Sequence, residues 1–244
     1  MTVRVVDVGD ACVTLELEPR VDPQLNDTCL AIADRVARAR LRGVRDIVAT
    51  YHTVAVYIDP LLADRDEIVD VLGRAVAPDK RIQPPVRALH EIPVCYGEEY
   101  GPDLDAVARF GGCTGEDVVR LHSERTYRVY MMGFLPGFAY LGKVNERIAI
   151  GRHETPRMQV AAGSVAIAGF QTGIYPLDTP GGWRVIGRTW ITPFDPARPE
   201  PSLLQAGDRV QFVPISRKAY LDARGSKVPE FEGSKVHAPR TIEP

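Results

Sequence analysis

The residues best suited to chemistry lie in one stretch. Between positions 155 and 194 the chain carries four charges, Arg157, Asp178, Arg184 and Arg188, set among glycines. Three guanidinium groups against one carboxylate suit an anionic ligand, because arginine offers a planar fork to carboxylate or phosphate. Glycine lets backbone N–H groups approach such a ligand closely and form a nest for it. Arg157 and Arg188 read equally as pocket residues and as solvated cations beside glycine turns. Arg184 follows Trp183, where cation–π packing competes with ligand contact. "GFQTGIYP" sets Gln171 and Thr172, an amide and a hydroxyl, between two glycines. That fits recognition of a small polar ligand, or a hydrogen-bonded turn. Tyr175 offers a hydroxyl to a pocket or fills a core. His122, ending a short helical stretch, has the chemistry of a general acid or base, or caps a carbonyl.

A second element is "GFLPGFAYLG", residues 133 to 142. It is too rich in glycine for a helix interior and too broken by proline for a central strand. Phe134, Phe138 and Tyr140 would make an aromatic pocket wall, with Gly137 allowing close approach, or else core packing. Other site motifs are missing. There is no GxxxxGK[ST], no GxGxxG after the first strand, no HExxH and no GxSxG. Ser164, in "AAGSVAIAG", has no histidine near it in sequence. The spacing of cysteine and histidine suggests no metal site.

These segments need a scaffold. "VRVVDVG", "ACVTLELE", "VRDIVAT" and "TVAVYID" have strand periodicity, and two helical stretches interrupt them. Asn26 and Asp27 are the expected caps of the first helix, with Gly43 just past its end; Asp64 caps the second, with Glu67 three residues on. The order strand, strand, helix, strand, strand, helix predicts a small α+β domain over residues 1–82, with helices on one face of an antiparallel sheet. "APDKRIQPP" (77–85) reads as a linker. From residue 86 come a strand, two short helices (the second capped by Thr114, with Asp117 at the third helical position) and a series of short strands parted by glycine and proline. Ten of the 21 glycines fall between Gly133 and Gly187. Many short strands with turn signals predict a closed or nearly closed β-barrel over 86–216. A polar tail, 217–244, holds "GSKVPEF" and "GSKVHAP".

Composition narrows the class. Net charge is −2, so the chain is no general nucleic-acid binder. No run approaches the roughly 20 apolar residues of a membrane span, and no leader is expected. Four scattered cysteines fit a reducing cytoplasm.

The runs "GFLPGFAYLG", "PRMQVAAGSVAIAGFQTGIYPLDTPGGWRVIGRT" and "FDP…P…LLQAGDRVQFVPI" resemble the family known as allophanate hydrolase subunit 1, also described as the B subunit of the bacterial 5-oxoprolinase complex. The sporulation-kinase inhibitor KipI and one half of the carboxyltransferase region of urea carboxylase are similar. The resemblance covers nearly the whole chain, including "YIDP" at 57–60 and "CYGEEYGPDLDAVA" at 95–108, and departs after Ile215. It implies an α+β fold in which the small N-terminal domain precedes a cyclophilin-like β-barrel. It also implies two partners, one the C subunit, the other a lactam-cleaving A subunit. Together these open the lactam of 5-oxoproline to glutamate at the expense of ATP, with Mg²⁺. On that expectation Arg157, Arg188 and His122 serve catalysis. Gln171, Thr172, Tyr175, Phe134, Gly137 and Phe138 hold substrate, and no residue binds a structural metal. The same resemblance admits a kinase-inhibiting regulator, or the carboxyltransferase half of a urea carboxylase or allophanate hydrolase-type system.

Overall fold

The computed structural model describes residues 3–77, 87–225 and 234–235. The expected linker lies, from residue 78 on, outside the described residues. So do the two similar tail segments, except Gly225 and Ser234–Lys235. The chain divides into two compact units, Met1–Pro85 and Val86–Pro244.

The first unit contains β1 (Arg4–Asp7), β2 (Cys12–Glu16), α1 (Pro23–Ala39), β3 (Val44–Ala49), β4 (Thr53–Ile58) and α2 (Arg65–Ala75). The strands form one antiparallel sheet in the order β1-β2-β4-β3. Val13 faces Val56 and Leu15 faces Val54 across β2 and β4. Their side chains share a core with Cys29, Ile32 and Val36 of α1 and Ile68 and Leu72 of α2. Both helices therefore bury their apolar stripes on one sheet face, as their periodicity requires. The start of α1 corrects the sequence reading. Asn26 and Asp27 lie inside the helix; the cap is Asp22, whose carboxylate accepts from Leu25 N–H at 2.9 Å, with Pro23 at the first helical position. Asp-Pro outweighs Asn-Asp as a start signal because proline lacks only an N–H that no helix start can satisfy. Asn26 is buried and donates to the Thr50 carbonyl instead. The helix closes at Arg40, in left-handed conformation, before Gly43 is reached.

The second unit runs β5 (Leu89–Tyr96), α3 (Leu104–Gly111), α4 (Gly115–Ser123), β6 (Thr126–Met132), β7 (Ala139–Gly142), β8 (Arg157–Val160), β9 (Ser164–Ala168), β10 (Gln171–Ile174), β11 (Thr179–Gly181), β12 (Arg184–Arg188), β13 (Arg209–Pro214), α5 (Arg217–Gly225) and β14 (Ser234–Lys235). Seven strands, in the order β12-β9-β10-β7-β6-β13-β5, close into a barrel because β5 also pairs with β12. Among the described residues the one parallel pair is β5 with β13. Strand β14 adds to the other end of β5, at His90 and Leu89. The barrel is packed rather than hollow. Ile92, Val94, Val129, Leu141, Ile167 and Phe212 fill it, joined by Val107 of α3 and by Val118 and Leu121 of α4. Full burial of each such side chain contributes about 2 kcal/mol. Helix α4 starts in the expected capping box: Thr114 Oγ1 accepts from Asp117 N–H at 3.1 Å, and the Asp117 carboxylate accepts from Thr114 N–H at 3.3 Å. Strands β8 and β11 pair with each other, outside the barrel, as a ribbon.

Candidate functional site

The loop between β6 and β7 is the Gly- and Phe-rich segment that the sequence singles out. It is tied by Gly133 N–H to Phe138 O at 3.1 Å and Phe138 N–H to Leu135 O at 3.0 Å. Gly137 is essential to it. Its φ is +81°, and a β-carbon there would stand 2.5 Å from the Phe194 Cβ. The turn aims Phe138 inward, 2% exposed, and leaves Phe134 outside, 61% exposed, on left-handed backbone at φ +69°. Phe138 meets Phe134, Tyr140, Tyr175 and Trp183 edge to face, with ring centroids 5.0 to 5.6 Å apart. Such pairs add about 0.5–1.5 kcal/mol each beyond area burial.

These five rings wall a cavity of about 300 Å³ whose remaining border is Arg152, Pro156, Pro180, Gly181 and Gly182. The Arg152 guanidinium lies 5.9 Å from the Trp183 ring centroid. The cation over Trp183 is therefore Arg152 and not its neighbour Arg184, which donates to the Gly151 carbonyl and to His153 Nδ1. A β-carbon on Gly181 would land on the Tyr175 hydroxyl, so glycine lets that ring reach the cavity. Burial pushes the Tyr175 phenol up, against a backbone hydrogen bond from Trp183.

A second cavity, about 180 Å³, borders β8 and β12 and is lined by Arg157, Arg188 and Ser164 among others. Arg157 donates from both terminal nitrogens to Asp103, at 2.7 and 2.8 Å. Asp103 also accepts from Val185 N–H at 2.7 Å and lies 3.2 Å from His153 Nε2. His153 stands between two guanidinium groups, Arg184 at 2.9 Å from Nδ1 and Arg157 at 2.8 Å from Nε2. Burial alone would raise the Asp103 carboxyl. The hydrogen bonds from Arg157, His153 and Val185 outweigh it and hold the group below the usual carboxylate range. The arrangement is a clamp: one buried carboxylate ties the start of α3 to β8 and β12. Arg188 is anchored by Nε to the Ala162 carbonyl at 2.9 Å and has no ion pair among the described residues.

The remaining sequence candidates line neither cavity. His122 and Thr172 are wholly buried and bonded to each other, Nε2 to Oγ1, at 2.8 Å. Thr172 donates to the Ala166 carbonyl, so it accepts from His122 Nε2–H, and His122 Nδ1 accepts from the Tyr96 hydroxyl at 2.8 Å. Burial drives the His122 pKa down to about 3, which keeps the ring neutral. Gln171 opens β10, half-buried, opposite Gly142 and Ala168. Sequence reasoning missed Arg152 and His153, which fall just before the low-charge window at 155; the glycine at 151 beside them was the available signal. It also missed Asp103, read only as part of a helix start. That residue takes the N-cap position of α3 but makes no side-chain cap, because its carboxylate is committed to Arg157.

Among the described residues no group of three or more His, Cys, Asp or Glu is placed to hold a metal ion. No described helix is long and apolar enough to cross a membrane. The protein known as the 5-oxoprolinase B subunit in Bacillus subtilis (strain 168) is 37% identical over 90% of this chain and 97% of its own length. The protein of the same name in Escherichia coli O157:H7 is 41% identical over 85% of this chain and 94% of its own. The crystal structure of TTHA0988 in space group P212121 matches with a TM-score of 0.74 at 37% identity; it covers 88% of this chain, which spans 40% of that longer one. Residues 3–204 match the family model described as carboxyltransferase domain, subdomain C and D, and the chain belongs to that family.

Proposed function

We propose that this chain is the B subunit of an ATP-dependent 5-oxoprolinase, and that it supplies one wall of a site that opens the lactam of 5-oxoproline to glutamate. The observation that carries this reading is the aromatic cavity with a single cation at its border, Arg152. The substrate is a flat five-membered ring bearing one carboxylate. Phe138, Tyr140 and Trp183 offer faces and edges to such a ring, and Arg152 offers a fork to the carboxylate. Two relatives that share most of this chain are known by the name of that subunit.

The chain acts only within a complex. The C subunit, with a lactam-cleaving A subunit, forms the rest of it on this reading, in the cytoplasm, where four unbridged cysteines are stable. Phe134, exposed at the mouth of the cavity, suits a contact that closes when a partner docks. Arg157 positions β8 through Asp103 rather than meeting substrate. His122 and Thr172 support β10 from within the core, and Gln171 stands at that strand's outer end.

ATP, when bound, supplies the driving force for opening a stable amide. The chain's own residues do not fit Mg²⁺. The carboxylates nearest the cavities are each engaged: Asp103 by Arg157, Glu99 by Arg217, and Asp178 by Ala162 N–H and Gln159. A magnesium nucleotide is therefore held mainly by another member of the complex. The test is to co-express this chain with its partners and follow release of glutamate and ADP together. Arg152→Ala should lower kcat/KM for the lactam by about a hundredfold, the loss of a charge-assisted bidentate contact, with the complex still assembled. Full activity in that variant would overturn the assignment.

A further inference from the structure

The second cavity presents a polar group from an otherwise apolar strand. Strand β9 reads Ser-Val-Ala-Ile-Ala and is buried throughout. Ser164 is its one polar residue. It is 4% exposed, lines the cavity, and no hydrogen bond reaches its hydroxyl among the described residues. Its oxygen is not one of the sealed unsatisfied atoms of the described residues, so the hydroxyl opens onto the cavity. No histidine borders this cavity, and its one lining carboxylate, Glu99, is held by Arg217, so neither is placed to activate the serine as a nucleophile. Its cross-strand neighbour in β12 is Arg188. The Nε of Arg188 is fixed on the Ala162 carbonyl, and among the described residues no hydrogen bond engages its terminal nitrogens.

The neighbouring cations are paired. Asp103 neutralises Arg157, and Arg217 meets Glu99 at 2.9 Å. Asp178, whose field reaches Arg188, accepts from Ala162 N–H at 2.7 Å and from Gln159 at 3.1 Å. Those donors are neutral, so Asp178 keeps its charge and acts on Arg188 from a distance; no carboxylate is bonded to the Arg188 guanidinium among the described residues.

We propose that Arg188 and Ser164 form a binding site for a small oxyanion, a carboxylate or a single phosphate group. The fixed guanidinium gives two N–H donors in a plane, and the hydroxyl gives a third from the facing strand. A cavity of about 180 Å³ holds one such group on a short stem. The two cavities share no lining residue, so this site and the lactam reading stand or fall separately.

The experiment uses the full chain at fixed ionic strength. Inorganic phosphate is titrated by phosphorus NMR, and 5-oxoproline and acetate by calorimetry. Saturable binding of phosphate or of a carboxylate is expected. Ser164→Ala and Arg188→Lys should each weaken it by about tenfold or more, as the loss of a hydrogen bond to a charged group does. Met158→Ala, on an exposed residue outside the cavity, should leave it unchanged. Preference for phosphate would identify a phosphoryl group as the occupant; preference for carboxylate would identify an organic acid. Absence of saturation by all three anions at tens of millimolar would overturn the proposal. So would binding indifferent to Ser164→Ala, a substitution that removes one oxygen and leaves the strand intact.

Discussion

The Asp103 carboxylate and the Arg157 guanidinium meet fork to fork, at 2.7 and 2.8 Å, across 54 positions of sequence. Asp103 is nearly buried and Arg157 about one-third exposed. The pair is thus neither a surface ornament nor a fully desolvated ion pair. It joins three segments that border the cavities, and it explains why Arg157 is not a free anion ligand.

Asp103→Asn should therefore destabilise the barrel unit while keeping its shape. The amide can accept from one guanidinium nitrogen and not from two, and it leaves Arg157 uncompensated. The expected loss is about 2–3 kcal/mol, reduced from the fully buried case by the exposure of Arg157. The melting temperature should fall by about 5–10 °C. The pH dependence has a definite sign. The folded-state pKa of Asp103 is lowered, so its contribution is complete above the unfolded value, about 4, and is lost as pH falls through the lower folded value. Acid denaturation curves should show this loss in the native chain and not in the variant. Coincident curves would contradict it.

What the sequence showed and hid follows from the range of each interaction. Strands, helices and the box at Thr114 and Asp117 rest on neighbours a few residues apart, so periodicity and capping spacing reveal them. The aromatic wall was visible for the same reason: Phe134, Phe138 and Tyr140 are close in sequence. Asp103 was not, because its partners lie 50 to 82 residues away and its place at a helix start had an adequate local explanation. The α1 start was misread where two local signals competed. Ser164 was noticed, but its significance depends on Arg188 standing opposite it, a fact of strand register.

The buried imidazole of His122 gives a second pH signature. Its folded pKa is about 3 because burial disfavours the charged ring, whereas an unfolded histidine titrates near 6.5. The unfolded chain therefore takes up a proton that the folded one refuses. Stability contributed by this group is complete above about pH 6.5 and declines towards pH 3. Between pH 7 and 5 the decline should be about 2 kcal/mol. Urea unfolding at the two pH values measures it. His122→Gln should be less stable at pH 7 but flatter between the two. An equal slope would show that His122 is not the group responsible.

Gly137→Ala tests the turn that orients Phe138. The new β-carbon meets left-handed backbone and the Phe194 side chain together. Left-handed alanine costs about 1–2 kcal/mol and overpacking about 1–3. A stability loss of about 2–4 kcal/mol is expected, with a changed near-ultraviolet spectrum as the ring cluster shifts. A loss below 1 kcal/mol, a limit set by ordinary surface substitutions, would mean that the loop relaxes freely.

Phe134→Gly separates stability from function. Phe134 holds a conformation that bulky residues rarely adopt, yet its side chain is mostly in solvent. Relief of left-handed strain returns about 1–2 kcal/mol, while the added freedom of glycine in the unfolded chain takes away about 0.5–1. The two nearly cancel, apart from the small edge contact with Phe138. Stability should thus remain within about 1 kcal/mol of the native chain. Activity of the assembled complex should nevertheless fall by about tenfold, because strain kept at a mostly exposed aromatic has little structural return beyond the contact with Phe138 and marks a contact used in function. Thermal melts of the isolated chain and coupled glutamate release by the complex give both numbers. Unchanged turnover with unchanged stability would remove Phe134 from the site.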